Sequence, residues 1–495
     1  MIASAYKMAL KARKPLVTAM VRFQSPVFAS VIAKSGVDAI TIDDEHYPFT
    51  AEDIRNIVTA VHAEKVTCLV RTGKKRSNAI YRILDMGADG VIIPNVETAE
   101  EARMVVDAVK YPPMGKRGCC PITRGASFGI GQDPVSYYNR KNEETIVGIM
   151  IESKKGYENL DEIMAVPGID FFSIGPSDFS GSFGKPGQAA TDPEIKTAMN
   201  DAYGRIIAKG YSVSGLSYTP EAAEANLAFG KNILNIGSDL QILAKEWKCH
   251  VEGAKAELRK VGYEYTSENF TGRIRSKKPS LLPYLRIADP AGAELAVLSG
   301  CDLLVLDDEH FPFTDDDIVN IVNAIHSRGG KALVRVHDKS RNFIMKMINL
   351  GADGIMAPQV RDYDEALYIA SSIKEKDGFR PITGIMVETK SAAEDIDRIL
   401  TIPEVDYISV GPSDISASYG KPGQYDDPEI KAVMNMLWSK ISASHVALAG
   451  QCYNDEKIAP AIADGKTMLN IGSDLQYLIW GTCSLVEKVR KVING

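Results

Sequence analysis

One ordered set of ionisable residues occurs twice in this chain. Asp43-Asp44-Glu45-His46 is followed by Arg71, Glu152 and Asp178, and Asp307-Asp308-Glu309-His310 by Arg335, Glu388 and Asp414. Glutamate and aspartate stand 26 residues apart in both copies. Two such carboxylates, with waters and a chelating ligand completing six oxygens, suit a hard divalent cation such as Mg²⁺ or Mn²⁺. A single acidic residue at a strand end also serves as a helix cap or a surface charge, so the repeated spacing carries the argument. Arg71 and Arg335 close short apolar runs, where a guanidinium requires an anion. Two anions are available to each: a substrate carboxylate, or an internal carboxylate such as Asp43 for Arg71.

His46 and His310, flanked by carboxylates, can exchange a proton near neutral pH, or can serve as structural imidazoles below the site. Gly175-Pro176-Ser177 and Gly411-Pro412-Ser413, just before the two aspartates, expose backbone N–H groups that can hold a carboxylate. His62 and His326 also recur, but late in helical segments, where packing or surface roles are expected. Lys185 and Lys421 recur in GKPGQ; the adjacent Pro-Gly favours a structural or anion-contact role. No lysine is singled out for a Schiff base.

The repetition extends far beyond these residues. GVDAITIDDEHYPFTAEDIRNIVTAVHAEK at 36–65 returns as GCDLLVLDDEHFPFTDDDIVNIVNAIHSRG at 300–329, an offset of 264. Later blocks return at an offset of 236, GIMIESK (148–154) as GIMVETK (384–390) and SIGPSDFSGSFGKPGQ (173–188) as SVGPSDISASYGKPGQ (409–424). The second copy has therefore lost 28 residues, equivalent to about 111–138. That stretch, rich in glycine, proline and basic residues, reads as a long loop with little structure of its own. The expected organisation is a first domain at 1–257, a polar connector at 258–277 and a second domain at 278–495.

Within a copy, short apolar β-branched runs alternate with segments of helical periodicity, which predicts parallel strands joined by crossover helices. Strands are expected near 16–22, 39–43, 67–71, 90–94, 146–151, 170–174, 211–216 and 232–236. Helices are expected at 50–64, 77–87, 97–109, 155–166, 192–209 and 219–230. Eight such units in about 240 residues predict an α/β fold of two tandem (β/α)8 TIM barrels, with every repeated motif at the carboxyl end of a strand, where such barrels do chemistry. An open doubly wound sheet is the competitor, but no G-x-G-x-x-G follows the first strand.

Composition sets the outer limits. With 45% hydrophobic and 24% charged residues, 495 residues can bury two cores. A net charge of −7 gives no basic excess for nucleic acid or an anionic membrane, so small molecules are the expected partners. Seven scattered cysteines without C-x-x-C spacing, and no apolar run near 20 residues, predict a reduced, cytoplasmic setting. The basic, acid-free residues 1–14 also fit a transit peptide.

IDDEH, LVR, YPPMGKRG, IES and GPSDFS, in this order, resemble the HpcH/HpaI aldolase family, the class II 2-oxo-acid aldolases within the phosphoenolpyruvate/pyruvate-binding barrels. The resemblance covers nearly all of the first copy, and the second apart from its missing loop. It implies a carbon–carbon lyase (aldehyde-lyase) that joins a pyruvate enolate to an aldehyde, with Mg²⁺, Mn²⁺ or Co²⁺ held by Glu152 and Asp178 and by Glu388 and Asp414. It implies Arg71 and Arg335 as the groups neutralising the pyruvate carboxylate and enolate. His46 supported by Asp43, and His310 by Asp307, are implied as acid/base, and Asp85 as a residue offered to a neighbouring subunit's site. Asp85 becomes Asn349 in the second copy. Met150 and Met386 stand where the family usually has glutamine, which removes a polar substrate contact. The resemblance also implies a homo-oligomer, in which the fused pair replaces two adjacent subunits that exchange a terminal helix. Two other readings stand beside the lyase: a non-catalytic 2-oxo-acid sensor or scaffold, and a citramalyl- or malyl-thioester lyase.

Overall fold

A computed structural model describes residues 2–73, 77–131, 133–265, 270–375, 378 and 380–495. Eight parallel strands of the first copy close into a barrel in sequence order: β1 (Leu16–Val21), β2 (Ala39–Asp43), β3 (Thr67–Arg71), β4 (Gly90–Ile93), β5 (Ile146–Ile151), β6 (Phe171–Ile174), β7 (Ser212–Leu216) and β8 (Ile233–Ser238). The expected strands are all present, within two residues at every end. Parallel strands buried on both faces read as continuous apolar β-branched runs, which is why the sequence locates them so closely. A helix at Ala3–Lys11 packs Tyr6 and Leu10 against Leu16, Ala39, Ile146 and Ile233, the starts of four strands. Tyr6, Ala9 and Leu10 are thus part of the barrel's core.

The second copy forms a nine-strand parallel sheet: β9 (Ser280–Leu281), β10 (Tyr284–Leu285), β11 (Leu303–Asp307), β12 (Lys331–Arg335), β13 (Gly354–Val360), β14 (Ile382–Val387), β15 (Tyr407–Val410), β16 (Ala447–Gln451) and β17 (Lys466–Asn470). Its order runs from β10 to β17 and ends on β9. Pro283, standing where the first copy has Ala19, interrupts what is one strand in β1, because proline cannot donate to a ladder. The halves remain collinear in function: β9 pairs with β17, β10 with β11, and Tyr284 N–H donates to Gly472 O at 2.9 Å. Ser280–Leu285 therefore bonds on both sides of the curled sheet.

Two local expectations are corrected. The helix read at 155–166 is two short ones, Lys154–Glu158 and Leu160–Met164, broken at Asn159, whose amide donates to Glu97 O. The loop after Val109 contains a 3-10 turn at Arg124–Gly129 and a helix at Pro134–Glu144, held by a buried cluster of Tyr111, Ala126 and Tyr137. The connector is also ordered where described. The helix from Asp239 runs on to Lys260, and Phe270–Arg275 forms another that buries Phe270 and Ile274 and pairs Arg273 with Asp302 at 2.6 Å. Residues 266–269 lie outside the described set.

The chain divides into two compact units: Met1–Ile242 with Leu478–Gly495, and Leu243–Tyr477. Each unit contains most of the helix that follows the other copy's last strand. In the first, Arg490 pairs with Asp38 at 2.8 Å; in the second, Trp247 packs edge-on against Tyr477.

Candidate active site

Register explains the first pairing. Asp43 and Arg71 are direct neighbours on parallel strands β2 and β3, so both side chains leave the sheet on the same face. Arg71 donates from Nε and Nη2 to the two Asp43 oxygens at 2.9 and 2.6 Å, and Arg22 Nε donates to Asp43 at 3.2 Å. Of the two partners open to Arg71 from sequence, the internal carboxylate is present. The same register joins Asp307 to Arg335, with Arg286 Nε 3.4 Å from Asp307.

This geometry corrects one expectation. Asp43 is wholly buried between two arginines, and among the described residues no hydrogen bond or ion pair joins it to His46. His46 is half-exposed and lies 3.6 Å from Glu45; His310 lies 3.8 Å from Glu309. Glu45 also reaches Arg71, at 3.3 Å, and Glu309 reaches Arg335 at 3.2 Å. Glu45 Oε2 is buried and accepts no hydrogen bond among the described residues.

Glu152 follows β5 and is 4% exposed. Its Oε2 accepts the backbone N–H of Asn95 at 2.9 Å, which Asn95 presents by adopting a left-handed backbone (φ 49°), a conformation asparagine tolerates well. Gly175, after β6, has no side chain for a reason of space: a Cβ there would lie 2.0 Å from Glu152 Oε1. Asp178 sits in the first turn of the helix Pro176–Ser182, whose N-cap, Gly175, supplies no side chain to the first-turn N–H groups. The second copy repeats the arrangement. Gln359 (φ 48°) donates to Glu388 at 3.1 Å, and a Cβ on Gly411 would fall 2.6 Å from Glu388 Oε1.

Electrostatics bind these residues into one site. Burial, then the charge of Glu45 and of Asp178, pushes the Glu152 carboxyl up to about 7 against the pull of Asn95 and Arg71. Glu388 is likewise pushed up to about 7 by burial, Asp414 and Glu309. Glu45 is raised by burial, with Asp43 and Asp178 adding to it. Burial works against the Arg71 charge, but Asp43, Glu45 and Glu152 outweigh it and hold the guanidinium above its usual range. In the second unit a single cavity is lined by Arg335, Glu388, Gly411, Pro412, Ser413 and Asp414, together with Met386 and Tyr284. In the first, a cavity inside the barrel is lined by Arg71, Met150, Thr18, Thr41, Ser173 and Asn235. Among the described residues no three His, Cys, Asp or Glu side chains gather as a ready metal cage.

The other singled-out residues have structural partners. Asp85 pairs with Arg117 of the long loop at 2.7 Å, so loop and Asp85 disappear together in the second copy. His62 and His326 bond to Asp89 and Asp353 at 2.8 and 2.7 Å. Lys185 pairs with Asp192 and Glu194, and Lys421 with Asp427 and Glu429. Sequence reasoning missed the Asn95 and Gln359 amides, the contact of Glu45 with Arg71, and the buried Asp239 and Asp474. Asp239 accepts the N–H groups of Arg22 and Phe23, and Asp474 those of Arg286 and Ile287. The signal for these two aspartates was NIGSDLQ, which recurs at 235–241 and 470–476.

The family model for HpcH/HpaI aldolase/citrate lyase matches residues 20–245 and again 281–480. The 2-keto-3-deoxy-L-rhamnonate aldolase of Escherichia coli O9:H4 (strain HS) is 36% identical over 215 residues, 43% of this chain and 79% of that protein. The enzyme of the same name from Salmonella typhi is 33% identical over 243 residues, 49% of this chain and 90% of its own. A solved HpcH/HpaI aldolase from Desulfitobacterium hafniense DCB-2 is 28% identical, covering 47% of this chain and 89% of that one, with a TM-score of 0.44. With two family domains in one polypeptide and aldolases among its relatives, the chain belongs to the HpcH/HpaI aldolase/citrate lyase family and is a carbon–carbon lyase.

Proposed function

We propose that this lyase cleaves, and in reverse forms, the C3–C4 bond of 4-hydroxy-2-oxo acids, releasing pyruvate and an aldehyde. The observation that carries the reading is the placement of the buried Glu152 within the electrostatic reach of the exposed Asp178, at successive strand ends and beside Arg71. Burial and the neighbouring carboxylates push the Glu152 carboxyl up to about 7. A divalent cation there would offset the clustered carboxylates, and two carboxylates with waters suit Mg²⁺ or Mn²⁺. Glu152 and Asp178 would hold it in the first barrel, and Glu388 and Asp414 in the second; bound there, it polarises the 2-oxo group.

The chain's own residues account for the rest. Arg71, fixed by Asp43, offers its guanidinium to the developing enolate without reorganisation. The uncapped N–H groups after Gly175 face the oxo acid's carboxylate. His46 with Glu45 takes the C4 hydroxyl proton as C4 becomes the aldehyde carbonyl. The electron pair of the broken C3–C4 bond passes into the enolate, which is protonated at C3 to give pyruvate. Asp85 anchors the long loop through Arg117, and the second copy lacks both.

The test is pyruvate release from a panel of 4-hydroxy-2-oxo acids with Mg²⁺, Mn²⁺, Co²⁺ or EDTA. Release should need a metal and fall at least about a hundredfold in Glu152→Gln for first-barrel substrates. Metal-dependent pyruvate binding without turnover on any member would instead support a sensor.

A further inference from the structure

A second cavity in the Leu243–Tyr477 unit is unused by the proposed reaction. Its walls include Tyr425, Met434 and Trp438, and on one side Ser413 and Gln451. Pro412, Ser413 and Gln451 also line the cavity that holds Arg335, Glu388 and Asp414, so the two spaces adjoin. Tyr425 Oη lies 3.0 Å from Ser413 Oγ, tying the outer wall to the turn that carries Asp414. Met434 is buried, Trp438 is half-buried, and the Lys466 ammonium sits 3.8 Å from the indole centroid, which fixes the ring. Aromatic and thioether walls favour a flat π system over an alkyl chain. A serine hydroxyl and a carboxamide stand where the spaces meet.

This combination belongs to the second copy alone. The residue after GKPGQ is Tyr425 there and Ala189 in the first, and Trp438 replaces Tyr203. Gln451 replaces Leu216, by the register that pairs Tyr407 with Ala447 and Phe171 with Ser212.

We propose that the second barrel takes 4-hydroxy-2-oxo acids bearing an aromatic ring on C4. The oxo-acid end lies at Arg335, Glu388 and Asp414, the C4 hydroxyl at Gln451, and the ring between Tyr425 and Trp438. Cleavage breaks the C3–C4 bond; C4 with its ring leaves as an aryl aldehyde after the hydroxyl loses its proton, and C3 takes a proton to give pyruvate. The aromatic preference rests on the retro-aldol reading above, whereas ring binding does not.

Full-length Glu152→Gln protein is supplied, with Mn²⁺, with 4-hydroxy-2-oxo-4-phenylbutanoate or 4-hydroxy-2-oxopentanoate. The phenyl substrate should show a kcat/KM about tenfold higher, and Tyr425→Ala and Trp438→Leu should each erase most of that preference through KM. Equal kcat/KM for the two substrates, or a preference untouched in both variants, overturns the proposal. Ring binding is read separately by saturation-transfer NMR of benzyl alcohol on the Glu152→Gln/Glu388→Gln protein. Saturation should fall about fivefold on adding Trp438→Leu or Tyr425→Ala. If neither substrate releases pyruvate while benzyl alcohol still depends on these residues, the retro-aldol reading fails and the ring site stands. A signal indifferent to both changes removes the ring site.

Discussion

The Asp43–Arg71 pair is the residue on which the geometry turns. Asp43 has no access to solvent, and removing its charge leaves Arg71 and Arg22 facing each other, with Glu45 and the more distant Glu152 charge remaining for Arg71. Breaking a buried pair from one side costs about 3–5 kcal/mol. Asp43→Asn should lower stability in a denaturant titration by that order, whereas His46→Ala, at a half-exposed site, should cost under about 1 kcal/mol. Equal losses would show that Asp43 has no special position. The raised carboxyls carry a pH prediction. Glu152 sits at about 7 against an ordinary 4.5, so its neutral form favours the fold. That contribution is complete below pH 4.5 and is lost as pH rises through 7, about 3 kcal/mol in all. A divalent cation binding the ionised carboxylate opposes the loss, so added Mn²⁺ should raise Tm more at pH 8 than at pH 5.5. A larger rise at pH 5.5 would contradict this. Glu152→Gln should flatten the pH dependence of the first unit.

At the scale of elements, the site depends on how strands hand over to helices. Gly175 lets the turn after β6 pass Glu152 with no room for a methyl group. Gly175→Ala should therefore displace the carboxylate and cut first-barrel kcat/KM at least about a hundredfold, with the secondary structure by circular dichroism unchanged. Activity within a factor of about three of wild type would remove this explanation of the glycine. Much of this was legible in the sequence. The eight strands of the first copy, the strand-end placement of Arg71, Glu152 and Asp178, and the duplicate site all follow from apolar runs and repeated motifs. What was not legible depends on pairing across the chain. Asp43 chooses Arg71 because β2 and β3 are in register, and no local pattern states a register. The left-handed backbones of Asn95 and Gln359 carry no glycine to announce them. The loop after Val109 looked structureless because its order comes from tertiary packing of Tyr111 and Tyr137 and from Arg117 reaching Asp85. Pro283 was visible, but its effect was not: it splits a strand whose two halves still bond to both neighbours.

On the scale of the whole molecule, repeat boundaries and compact units differ. Leu478–Gly495 counts with Met1–Ile242, and Leu243–Lys260, from the helix after the first copy's last strand, counts with the unit ending at Tyr477. The two repeats are consequently not independent pieces. A chain ending at Tyr477 loses the Arg490–Asp38 pair and the helix that carries it. Its first unit should unfold about 5 °C or more lower in calorimetry. An unchanged first-unit transition would show that the terminal helix contributes nothing there. Duplication also explains how the copies diverged: with the first retaining Asp85, Arg117 and the long loop, the second could lose all three while keeping Arg335, Glu388 and Asp414 in one cavity.

The account stands on each barrel mouth holding one cation through its glutamate and aspartate. Titrating Mn²⁺ into the full chain under electron paramagnetic resonance, which counts free ion directly, tests this. Two tight sites per chain are predicted, one in Glu152→Gln, one in Glu388→Gln and none in the double variant. Stoichiometry unmoved by either substitution would contradict it.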